Sequence, residues 1–72
     1  MIYYAIQNKA TGRYISGTDF SCTDGKPRQI GSTALHPPLL LSGAELDTEI
    51  KRRGISLERY RVVAVEIKEA RL

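Results

Sequence analysis

The residues best suited by type and spacing to do chemistry are bases: Lys51, Arg52 and Arg53 run together, and Arg59 and Arg61 follow. Gathered on one rim, such side chains bind phosphate, RNA or an acidic protein surface through charge-assisted hydrogen bonds. The plainer reading is a solvated helix end, because six acids offset seven bases between Leu39 and Leu72 and Asp47, Glu49 and Glu58 stand close by in sequence. Other reactive types are isolated. His36 is the sole imidazole, set among loop residues and prolines, with no neighbouring nucleophile or orienting acid to make it a general base. Cys22 is the sole thiol, and Lys26 and Arg28 are thin support for a lowered thiol pKa. Thr23-Asp24-Gly25-Lys26 is turn chemistry without the spacing or the following helix of a phosphate loop, and Asp19 and Asp24 lack the carbonyl-rich spacing of a cation loop. The expectation is no catalysis, no cofactor and no metal. Four tyrosines without a tryptophan are the remaining chemical asset. Tyr3 and Tyr14 on one sheet face would give contact area at little entropic cost, or form the ordinary second side of a thin domain.

These side chains must be held by a few short elements. The best-marked stretch is Pro38 to Gly54, a strand leading into a single helix. Ser42 is placed as N-cap with Glu45 three positions on, a capping box, and Leu41 and Leu46 flank the cap as a hydrophobic staple. The helix is expected to start near Gly43 and stop at Arg53, where Gly54 supplies the left-handed residue and Ile55 folds back on Ile50 in a Schellman motif. Early acids and late bases suit the helix dipole and allow Asp47–Lys51 and Glu49–Arg53 pairs. Upstream, Ile2, Tyr4 and Ile6 alternate with Tyr3, Ala5 and Gln7, then Asn8 to Gly12 gives a turn and Arg13 to Ser16 resumes, predicting an N-terminal β-hairpin. Gly17 to Lys26 reads as a loop anchored in the core by Phe20, Pro27 to Ile30 as a short edge strand, and Leu39 to Leu41 as another edge strand behind two prolines. Ser56 or Leu57 starts a single turn. Tyr60 to Ile67 is the strongest strand, placed centrally beside the first, and Lys68 to Leu72 is a frayed tail.

The predicted fold is one α+β domain over residues 1–72: a mostly antiparallel twisted sheet of four to five strands, order β-β-(β)-β-α-β, with the helix on one face and the tyrosines on the other. Seventy-two residues make a marginal core, and a lone cysteine provides no disulfide staple and favours a reducing cytosol. MIYYAIQNK is too short and polar for a signal peptide, and the apolar run Leu39 to Leu41 is far from spanning a membrane, so no membrane is expected. A net charge of +3 is too small for a nucleic-acid case on charge alone and of the wrong sign for DNA mimicry.

QNKATGRYIS resembles the opening hairpin of a ricin-type β-trefoil repeat, but the rest of the repeat is missing, the chain is too short for three, and a capped helix does not belong in that fold. YYAIQNKATGRYISGTDF, PRQI and PLLLSGAELDTEIKRRGI closing on YRVVAVEI together resemble, over nearly the full length, short proteins encoded by bacteriophages and prophages of Gram-positive bacteria. That resemblance implies a protein acting in the cytoplasm of an infected cell and transfers no site residues. The leading expectation is a small non-enzymatic binding protein that docks on a host or phage macromolecule, possible targets being a host enzyme or a defence system that it inhibits. Its surface would be Lys51, Arg52, Arg53, Arg59, Arg61, Tyr3 and Tyr14. The alternatives are nucleic-acid binding through the basic rim and sequestration of a small anionic nucleotide. Edge pairing through the N-terminal strand, Pro27 to Ile30 or Pro38 to Leu41 leaves monomer and homodimer equally open.

Overall fold

The computed structural model describes residues 1–21 and 25–68. It is an α+β fold of four antiparallel strands and one helix: β1 (Ile2–Asn8), β2 (Ile15–Asp19), β3 (Arg28–Gly31), α1 (Leu46–Arg52) and β4 (Tyr60–Glu66). The single sheet expected from the sequence is divided into two ladders, β1 with β4 and β2 with β3.

The first hairpin forms only at its root. Asn8 turns the chain by accepting from the Ala10 and Thr11 amides (2.8 and 3.2 Å), Gly12 takes φ 75°, and the Asn8 amide donates to the Arg13 carbonyl at 2.7 Å. Gln7 then bridges Tyr14, after which the strands part. A register shift between Ile15 and Gly17 bends β2 towards β3. Leu39 to Leu41 fills the space released: the Leu39 amide donates to the Ile15 carbonyl at 2.9 Å, and Tyr4 and Leu41 exchange bonds of 2.8 Å. This segment is not the strand expected of it: its two bonded amides go to different strands, Leu39 to β2 and Leu41 to β1, so no ladder with either builds up and Leu41 alone completes a bridge. The weaker candidate, Pro27 to Ile30, does become a strand, entered from Pro27.

The β1–β4 register runs unbroken from Ile2 opposite Glu66 to Asn8 opposite Tyr60. Since opposed residues share a face, Ile2, Tyr4, Ile6 and Asn8 lie with Tyr60, Val62, Ala64 and Glu66 on one side, and Tyr3, Ala5 and Gln7 with Arg61, Val63 and Val65 on the other. β4 is an edge strand rather than a central one; the middle position belongs to β1, flanked by β4 and by the Tyr14 and Leu41 bridges.

The core is small: Ile6, Ile15 and Ile55 are buried together, with Leu46, Ile50 and Tyr60 packed against them, and Ala5 and Leu41 are buried beside. The helix therefore lies on the Ile6 side of β1. It begins at Leu46, later than expected, because only half of the capping box forms. The Glu45 carboxylate accepts from the Ser42 amide at 3.0 Å, while the Ser42 hydroxyl caps nothing and residues 43–45 make a tight turn. The C-terminus forms as predicted: Gly54 at φ 61° donates to the Lys51 carbonyl (3.2 Å) and Ile55 to the Ile50 carbonyl (3.0 Å), the two bonds of a Schellman motif. Ser56 then accepts from the Arg59 and Tyr60 amides, the single turn expected before β4.

Candidate functional site

The helix end is built from Glu49. Its carboxylate accepts from Arg52 Nε and Nη2 (3.1 and 2.9 Å) and from Arg53 Nε (2.9 Å). The Glu49–Arg53 pair is the one expected; Asp47 and Lys51 make no ion pair with each other. The bonds from Arg52, more than those from Arg53, hold the Glu49 carboxyl below the usual carboxylate range. Arg53 is only 14% exposed. Its Nη1 donates to Thr18 Oγ1 (3.1 Å), Thr18 donates to Gln29 Oε1 (2.7 Å), and Gln29 Nε2 returns to the Arg53 carbonyl (2.6 Å). This closed circuit ties α1 to the β2–β3 ladder, so Arg53 is a structural residue. Arg52 lies over Phe20, 5.4 Å from the ring centroid, and Phe20 is half exposed: the ring supports a guanidinium and does not anchor the loop in the core as expected.

Arg59 and Arg61 lie elsewhere. Arg59 joins Arg28 in an open cleft of about 610 Å³ lined also by Ser56, Glu58 and Tyr60, and borders a second, of about 540 Å³, with Asn8 and Lys9. Glu58 stands in both clefts, and the Lys9 ammonium is used on the Leu57 carbonyl at 3.0 Å. Arg28 is opposite Asp19, whose carboxylate is lowered chiefly by the Ser21 hydroxyl (2.6 Å), then by the Ser21 amide (2.9 Å). Positive charge here is interleaved with acid rather than focused.

Arg61 is on the face of the β1–β4 ladder away from the helix, opposite Gln7, and among the described residues its guanidinium has no ion-pair partner. On the same face Ala5, Tyr14, Pro38, Leu40 and Val65 line a mainly apolar groove of about 230 Å³. Tyr3, opposite Val65, flanks it and donates from its hydroxyl to Met1 Sδ at 2.9 Å. Tyr3, Tyr14 and Arg61 are thus brought onto one surface. Tyr4 and Tyr60 are on the other side; Tyr60 packs against the core and the Tyr4 ring lies near Gly43, so the far face carries half the tyrosines expected there.

Pro38 and Leu40 were not expected at the site. The signal was present in the leucine triplet: with Leu41 buried against β1, Leu40 must point to the opposite face, which it does at 39% exposure. His36 is exposed in the turn Thr33–His36, whose ends exchange backbone bonds of 2.8 and 3.2 Å. Cys22, Thr23 and Asp24 lie outside the described residues. Among the described residues no group of His, Cys, Asp and Glu could hold a metal ion, and no helix is long and apolar enough to cross a membrane. No family model, no curated protein and no solved structure matches this chain.

Proposed function

We propose that this chain is a non-enzymatic binding module whose docking surface is the helix-free face of the β1–β4 ladder. The observation that carries the reading is the meeting, on one helix-free sheet face, of an apolar groove with two tyrosines and an arginine that has no ion-pair partner among the described residues. Tyrosine and arginine contribute most to protein interfaces because they combine large contact area with directional polar groups. The occupant that fits is a protein segment offering apolar side chains to Tyr14, Leu40 and Val65 and a carboxylate to Arg61. The resemblance to phage proteins supports a host or phage protein as the target, within the cytoplasm of the infected cell. Nucleic-acid binding by Lys51, Arg52 and Arg53 is the weaker alternative, since Arg52 and Arg53 are already engaged by Glu49.

The experiment is capture of protein partners from a Gram-positive bacterial lysate on the tagged chain, with and without nuclease, using wild type, Y14A/R61E and K51E/R52E. The reading predicts a stoichiometric protein that survives nuclease and K51E/R52E and is lost with Y14A/R61E. Retention abolished by nuclease or by K51E/R52E alone would overturn it in favour of the helix end.

A further inference from the structure

The outer edge of β4 is open, and its hydrogen-bonding pattern is fixed by its inner side. The Ile67 amide donates to the Met1 carbonyl at 2.8 Å and the Lys9 amide to the Arg59 carbonyl at 2.9 Å. Bonded pairs recur at every second residue of an antiparallel ladder, so Arg61, Val63 and Val65 turn their N–H and C=O groups towards β1. Val62, Ala64 and Glu66 turn theirs outward, where no described residue meets them. Neither proline nor bulge blunts this edge, and of its outward-bonding residues only Glu66, at the end, is charged. The side chains leave room for a neighbour, since Val62, Ala64 and Glu66 are all exposed on the helix side.

We propose that β4 pairs with β4 of a second copy, antiparallel about a two-fold axis through Ala64, to give a four-stranded sheet β1-β4-β4-β1. In this register Ala64 faces its own counterpart and Val62 faces Glu66, so all outward groups from Val62 to Glu66 exchange bonds. Val63 and Val65 become cross-strand neighbours on the groove side, and no like charges stand directly opposite. A second copy is favoured over another strand because the side chains as well as the backbone are their own complement in this register, the small Ala64 meeting itself on the axis and each Val62 meeting Glu66. The molecule's dimensions argue the same way. Its accessible surface is 5575 Å², about a quarter more than the roughly 4,450 Å² of a compact monomer of this mass. The radius of gyration, 13.0 Å, likewise exceeds the ~11 Å of a compact chain of this length. Pairing places both grooves on one side of the sheet and both helices on the other, so the dimer would be bivalent.

The test is the solution mass by sedimentation equilibrium, over a concentration series reaching about 1 mM. Wild type should move from the 8.0 kDa monomer to twice that mass. A64P removes an amide that β1 does not use and should weaken the dimer at least about tenfold while β1–β4 stays paired. A64E and A64K should each be monomeric alone, through like charges set face to face, and should dimerise when mixed. Recovery on mixing excludes misfolding as the cause. A monomer throughout the series, or a dimer unchanged by A64P and by both charged variants, would overturn the proposal. Neither result depends on what the groove binds.

Discussion

Glu49 shows how one residue decides what the basic cluster can do. By engaging both Arg52 and Arg53 it offsets the charge of two of the most obvious ligand-binding side chains, and Arg53, the less exposed of the two, becomes part of the fold. Its carboxyl is held below the usual range in the folded chain, so it adds stability that is full above the ordinary value of about 4.3 and lost as pH falls through the depressed folded value. Chemical denaturation of wild type and E49Q across pH 2.5 to 7 is expected to show a gap at neutral pH that closes in acid; a constant gap would mean that the charge of Glu49 is not what matters. Ile6 plays the corresponding part in the core, fully buried between the sheet and the helix. I6V should cost about 0.5–1.5 kcal/mol in urea unfolding. I6A, at about 2–5 kcal/mol, should consume most of the margin of so small a domain.

At the scale of elements, the helix was legible where local chemistry acts alone and not where two options compete. Gly54 followed by Ile55 has one good solution, the left-handed turn, and it forms as read. G54A is expected to cost about 1–2 kcal/mol from backbone strain, because the added Cβ would meet only the ring of Pro27 at an ordinary 3.5 Å; a variant as stable as wild type in thermal unfolding would contradict this. At the N-terminus the Ser42 hydroxyl and the Glu45 carboxylate were expected to cap reciprocally, and only the Glu45 half forms. Strand identity failed for a similar reason. Leu39 to Leu41 is more apolar than Arg28 to Gly31, yet a strand needs successive bonds to one neighbour: Leu39 and Leu41 bond to β2 and β1 respectively, whereas Arg28 to Gly31 pairs with β2 throughout.

On the scale of the whole molecule, α+β class followed from the order of strand and helix patterns and the pairing of first and last strands from the length and β-branching of the last, but the division into two ladders did not. It depends on a bulge after Ile15 and on which segment reaches β1 first, both long-range outcomes invisible to local pattern. The same division decides the candidate site. Tyr3, Tyr14 and Arg61 meet because β1 is central and Tyr14 bridges it, whereas Arg53 is drawn away by Thr18 and Gln29 on the other ladder. The claim that docking occurs on the helix-free face is tested most directly by an NMR titration of the labelled chain with its captured protein partner. The account predicts the largest shifts at Tyr3, Tyr14, Leu40, Arg61 and Val65, with Lys51 to Arg53 little changed. Shifts confined to Lys51, Arg52 and Arg53, with the groove residues unmoved, would contradict it.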